Sequence, residues 1–186
     1  MNLESFASGL ADLIGKPSSL RPFVCDGSPL HCRVFIVGHN PATPSDRDFW
    51  TDWGSDGFDK ASWMKSYLEE RANSPLKPGK TFRPKISPSR RVIDQVVAAA
   101  GIPILETNIF AGPSPDMPSL RERDIAPFLY LVDTLKPDLL VTHGNEAEEA
   151  VSRLSPPGEI ISVSHFSRGW SGERAAELGR SLRSRF

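Results

Sequence analysis

Four short apolar runs are separated by segments of helical periodicity, and this alternation constrains the fold more than any other feature of the chain. Val34 to Val37 is a continuous β-branched and aromatic run, as expected of a strand buried on both faces. Ile104 to Phe110, Asp138 to Thr142 and Ile160 to Val163 read as the strands that follow it. Leu3, Phe6, Leu10, Leu13 and Ile14 recur at helical spacing ahead of the first strand. Ser87-Pro88 is a start signal for a helix with Val92, Ile93, Val96, Val97 and Ala100 on its apolar face and Gly101 at its end. Ile125, Phe128, Leu129, Val132 and Leu135 give a further stripe. Ser119 and Glu122 have capping-box spacing before that stripe, while Asp124 offers a cap that leaves Pro127 in the tolerant first turn. Asn145 with Glu148 opens another capped helix, and Ser171 to Arg183 is helical.

Strands alternating with helices predict an α/β protein, a three-layer α/β/α sandwich with a central, mainly parallel four-stranded sheet. Pro17 to Leu30, rich in Pro, Ser and Gly, reads as a connecting loop. From the first strand to Lys85 the chain is irregular, with helix-like stretches near Phe49 to Trp53 and Ser62 to Arg71.

At 186 residues a single domain spanning 1–186 is expected. The formal net charge of −1 gives no global pull toward nucleic acid, so such a partner must be met by a local patch. Lys77, Lys80, Arg83, Lys85, Arg90 and Arg91 supply one candidate patch, in a segment without acidic residues; a solvated loop is the plain alternative. Cys25 and Cys32 are the only cysteines, too few for a disulfide framework or a four-cysteine cluster. They could pair, but two reduced thiols in a cytosolic protein is the expectation. The N-terminus lacks the pattern of a signal peptide and no apolar run approaches membrane-spanning length, so a soluble, cytoplasmic protein with no membrane partner is expected.

In parallel α/β sheets ligands bind beyond the carboxyl ends of the strands. Those positions hold Gly38-His39-Asn40, Asn108, His143-Gly144 and His165-Phe166-Ser167. Ordinary sugar hydrolysis would require paired carboxylates, and phosphoryl transfer a glycine cradle with Lys and acidic metal ligands. Neither set is present. Neutral amides and imidazoles instead orient water and donate hydrogen bonds to a developing anion, which suits a nucleobase leaving through an N-glycosidic bond.

The order VGHNP, ETNIF, SHFS resembles the uracil-DNA glycosylase superfamily. Its first motif is Gly-x-Asp/Asn/Glu-x, followed by an Asn-ending strand and a His-x-Ser loop. The Gly-x-Asn-Pro form and the Phe49-Trp50 pair look like the mismatch-specific branch; the first motif also looks like the single-strand-selective one. RVIDQVVAAAGI and LKPDLLVTHGNEAEEAV look like the thermostable iron–sulfur branch, but its cluster cysteines are absent. The resemblance covers Val34 to Ser184.

By this resemblance Asn40 positions the attacking water, and His165 donates to the base oxygen on which charge accumulates. Gly38, His39, Phe49 and Asn108 line the base pocket, Asn108 reading the polar edge of a flipped base and Phe49 stacking on it. Lys85, Arg90, Arg91, Ser167 and Arg168 are the expected DNA-backbone contacts, the first three because the basic run leads into a helix beside the proposed site. The implied protein is a monomeric N-glycosidic hydrolase of base excision repair, acting on lesion-bearing single- or double-stranded DNA with no cofactor and no metal. Structural alternatives stand beside these roles: a local Asn40-Pro41 turn, an exposed loop His39, a satisfied buried Asn108, core packing for Phe49 and a plain strand-end His143. This chain departs from the family in having Phe166 where Pro is usual. It also has Arg168-Gly169 where an apolar wedge follows, with Trp170 shifted by one residue as a substitute. The alternative functions are a catalytically silent nucleic-acid- or nucleobase-binding member of the same fold, and a hydrolase of a small nucleoside.

Overall fold

The computed structural model describes residues 1–41, 45–76, 78–112 and 124–186. Lys77, Ser119 and Glu122 lie outside them. Among the described residues the protein is α/β, with six α-helices, a mixed five-stranded sheet that is mostly parallel, and a separate two-stranded hairpin. The chain forms two compact units, Met1–Asp59 with Pro103–Ser164, and Lys60–Ile102 with His165–Phe186.

The first unit contains the whole sheet. Its strands are β1 (Phe23–Val24), β2 (Val34–Gly38), β5 (Ile104–Asn108), β6 (Leu139–His143) and β7 (Glu159–Val163), in the order β1-β5-β2-β6-β7. Every residue of β2 and β6 is buried, as their continuous apolar runs require. The sheet has one strand more than the sequence predicts. β1 lies in the segment expected as a loop and pairs antiparallel with β5, Phe23 opposite Thr107 and Val24 opposite Glu106. Two residues carry no periodicity; pairing makes them a strand, aided by the Thr107 hydroxyl donating to the Pro22 carbonyl at 2.6 Å.

Phe23 also anchors an aromatic cluster. Its ring meets Phe6 of α1 (Leu3–Ile14), Phe49, Trp53 and Phe58 at centroid distances of 5.3–6.1 Å. Trp53 and Phe58 face each other across the hairpin β3 (Trp53–Gly54) and β4 (Gly57–Phe58). Phe49 and Trp50 lie in a 3-10 turn, Phe49–Asp52, capped by Asp48, whose carboxylate accepts from Trp50 N and from Ser18 N across the chain. A bidentate Arg47–Asp52 pair closes the same turn.

Helices α4 (Ala126–Leu135) and α5 (Asn145–Leu154) complete this unit. α4 starts with Pro127 in its first turn, and the Asp124 carboxylate accepts from Ala126 N at 2.8 Å. The Asn145–Glu148 capping box does not form. Gly144, at φ 95, is the N-cap, so Asn145 is already helical and makes no side-chain cap.

Cys25 and Cys32 are buried and free. The Cys25 thiol is pushed above the ordinary thiol range, chiefly by its hydrogen bond with Cys32, then by burial, then by the nearby charges of Cys32, Glu106 and Asp26. Burial likewise raises the Tyr130 phenol, with Asp12 adding to it and a hydrogen bond to Thr134 opposing it. Both groups fold in their neutral forms. The unfolded thiol ionises near pH 8.5, so this contribution to stability is complete below about pH 8.5 and is lost as pH rises above it. The urea midpoint should therefore fall between pH 8 and pH 10, Cys25→Ala should flatten that decline, and neither thiol should alkylate until denaturant is added. A midpoint constant to pH 10, or rapid alkylation of the folded protein, would contradict this.

The second unit contains α2 (Lys60–Asn73), α3 (Pro88–Ala100) and α6 (Gly172–Arg183). Ser87 and Ser171 cap α3 and α6, accepting from Arg90 N and Arg174 N, and Gly101 closes α3 at φ 59. The α3–α6 contact depends on Gly179. A Cβ there would meet the Ala99 side chain at 2.7 Å, the Ala100 nitrogen at 2.9 Å and the Val96 carbonyl oxygen closer still. Backbone cannot rotate out of the way, so only glycine lets these helices approach so closely.

Candidate functional site

The order of the parallel strands locates the switch point at which a ligand site is expected. After β2 the chain adds β5 on one side, then crosses to place β6 on the other, so β2 and β6 flank the topological switch point where α/β proteins bind ligands. At their carboxyl ends the register sets Gly38 opposite Asn108, and Val37 opposite Thr142 with His143 next.

Gly38 is the pivot of this corner. A Cβ built on it would lie 2.5 Å from Asn108 Oδ1 and 2.9 Å from His143 Nε2. Both side chains thus reach over the bare Cα and converge on the space that any other residue would fill. His143 is 8% exposed, and Asn108 is half-buried. β2 and β5 stay paired beyond this point, Ile109 N donating to Gly38 O and Phe110 N to His39 O, both at 3.0 Å. The His39 ring packs edge-on against Phe110 at 5.1 Å. Asn40 donates through Nδ2 to the Pro41 carbonyl at 3.2 Å, so the local Asn40-Pro41 turn forms.

None of Gly38, His39, Asn40 and Asn108 is a carboxylate. Such a corner can donate and accept hydrogen bonds but cannot itself act as a carboxylate base. Glu106 lies two residues before Asn108 on the same face of β5 and is 6% exposed. Its charge acts on Cys25. Among the described residues no group of three or more His, Cys, Asp or Glu side chains could hold a metal ion. His143 is the residue to which the sequence alone assigns no role beyond ending a strand. The signal for it is its place at the end of the third apolar run, level with Gly38 once strand order is known.

Phe49 is 5% exposed, stacks on Phe58 at 5.4 Å and meets Phe23, Trp50 and Trp53 edge-on or tilted. It is a core residue, and stacking on a base would require that cluster to open.

The remaining expected residues belong to the second unit. His165 and Ser167 are exposed and bonded to each other, the imidazole Nδ1 lying 2.7 Å from Ser167 Oγ and accepting from Ser167 N at 3.2 Å. A backbone N–H only donates, so Nδ1 is the acceptor in that contact. Arg168 N donates to the His165 carbonyl and closes the turn. Phe166 and Trp170 are both buried and pack at right angles, 4.9 Å apart, with the Arg174 guanidinium 4.2 Å above the indole. Trp170 therefore belongs to a core and is not an exposed wedge.

Arg90 departs from its expected role. It is 7% exposed, paired with Asp94 at 2.7 Å, and its guanidinium sits 5.5 Å from the Trp63 ring. A phosphate contact would require drawing the buried Arg90 side chain away from the part-exposed Asp94 and from Trp63, which argues against a place for Arg90 in the DNA-backbone set. Lys85, Arg91 and Arg168 are exposed.

Comparison with protein-family models finds no match, and comparison with curated proteins finds none either.

Proposed function

We propose that the chain is an N-glycosidic hydrolase related to uracil-DNA glycosylases, which releases uracil or another deaminated base from DNA. The convergence of Asn108 and His143 over Gly38 at the switch point carries this reading. An amide offers a donor and an acceptor side by side, as the edge of a deaminated pyrimidine does. Asn40 orients water toward the anomeric carbon through its amide oxygen. As the carbon–nitrogen bond breaks, its electron pair leaves with the base, and the sugar passes through oxocarbenium character before water bonds to it. His165, in the second unit, is the residue to which the resemblance assigns the steadying of the departing base oxygen. The proton lost by water ends on the base or in solvent. The three-layer α/β/α arrangement of that superfamily, a monomeric state and a cytoplasmic location belong to the same proposal. Among the described residues, no helix is long and apolar enough to cross a membrane.

The test is to incubate labelled oligonucleotides carrying each lesion, single- and double-stranded, and to cleave abasic sites with alkali. Lesion-dependent cleavage is expected; its absence on every substrate leaves the second reading, a silent nucleic-acid- or nucleobase-binding protein. The burial of Trp170 favours that alternative, because it removes the substitute wedge. Binding distinguishes the base-reading role further. Asn108→Ala should cost roughly 5- to 100-fold in preference for lesion over undamaged strands, the effect of leaving a polar edge unpaired. The salt dependence of binding should not change, since Asn108 contacts no phosphate. An unchanged lesion preference would remove Asn108 from base recognition.

A further inference from the structure

We propose that the described residues joining α2 to α3, 74–76 and 78–87, are a docking surface for single-stranded nucleic acid, with Phe82 as a platform on which a base stacks. Phe82 is 73% exposed, the most exposed large hydrophobic side chain among the described residues. No acidic residue lies between Glu70 and Asp94, while Lys80, Lys85 and Arg91 are exposed there. In a chain of net charge −1 this is a local concentration of positive charge along the sequence that carries an exposed ring. Cationic side chains tracking phosphates with an aromatic face for bases is the combination that single strands bind.

The surface is built rather than merely charged. The Arg83 guanidinium donates to the Arg71 carbonyl at 2.9 Å, to the Ser74 carbonyl at 3.0 Å and to the Pro75 carbonyl. Arg71 Nε returns a bond to the Pro84 carbonyl at 2.9 Å, and Tyr67 Oη accepts from Ser87 N at 3.1 Å. Two arginines thus brace the backbone on either side of Phe82, while the lysines are left outward. A preformed loop loses less conformational entropy when a ligand binds. An anionic membrane is less well matched. Interfacial binding uses a continuous apolar helix face, and this non-helical segment offers one ring and the half-exposed Leu76.

This inference rests on the DNA reading for its partner, but its test uses undamaged strands and so does not depend on base release. Fluorescence anisotropy with labelled oligothymidine and a matched duplex, titrated with salt, gives the readout. Wild type should bind the single strand more tightly than the duplex. Phe82→Ala should weaken single-strand binding roughly 5- to 100-fold, leave duplex binding within about twofold, and leave the thermal midpoint unchanged. Phe82→Trp should restore binding. Replacing Lys80, Lys85 and Arg91 together by Ala should weaken both ligands. It should also reduce the single-strand slope of log affinity against log salt by about 0.7 for each phosphate no longer neutralised. Equal affinity of Phe82→Ala and wild type would overturn the proposal. So would Phe82-dependent binding to phosphatidylserine vesicles without binding to oligothymidine.

Discussion

Asn40→Ala should lower base release by about 100-fold or more while the protein folds normally. A water displaced by an ångström from its line of attack costs on that order. The side chain makes a hydrogen bond to Pro41 at the end of β2, so stability should drop by no more than about 1 kcal/mol. The companion substitution separates mechanism from structure. An amide cannot accept the proton of the attacking water, whereas a carboxylate can. Asn40→Asp should therefore raise the rate above wild type, by roughly 10-fold or more. Abasic-site formation on a uracil-containing oligonucleotide, with urea unfolding of each variant in parallel, gives both quantities. Wild-type rates in both variants would remove Asn40 from the chemistry.

Gly38→Ala should have a comparable effect on activity for a different reason. The added methyl would occupy the point on which Asn108 and His143 converge. What it meets first are the ends of two side chains, not backbone, so those groups swing away and the sheet remains paired. The expected result is a loss of lesion discrimination and about a 100-fold slower release, with stability lowered by at most about 1–3 kcal/mol, the usual cost of overpacking. His143→Ala relieves the crowding on one side, so Gly38→Ala combined with it should be less impaired than the sum of the two single changes. If Gly38→Ala retains both rate and discrimination, the Asn108–His143 corner is not the binding site.

Much of this architecture is visible in the residues themselves. β2, β5 and β6 appear as apolar runs; α3 carries a start signal at Ser87-Pro88 and a stop at Gly101. What is missing is decided by distant partners. β1 is a strand because β5 lies beside it, and α5 starts on Gly144 because that residue takes a positive φ where a capping box is expected. Arg90 reads as a surface cation until Trp63 and Asp94 are placed around it; only Asp94, one helical turn on, is legible from spacing. Phe49 follows the same rule, as its neighbours come from Phe23 and Phe58. The candidate corner is half legible. Strand ends identify Gly38 and Asn108, but His143 becomes their neighbour only through a strand order that no local pattern encodes.

The three groups at this corner are each the final residue of a strand held in place by main-chain pairing. Backbone amides make the ladder whatever side chain is attached, so the identities of residues 108 and 143 do not set the register. On the proposed reading, a substitution at residue 108 or 143 alters what the corner recognises and leaves the strand ladder in place.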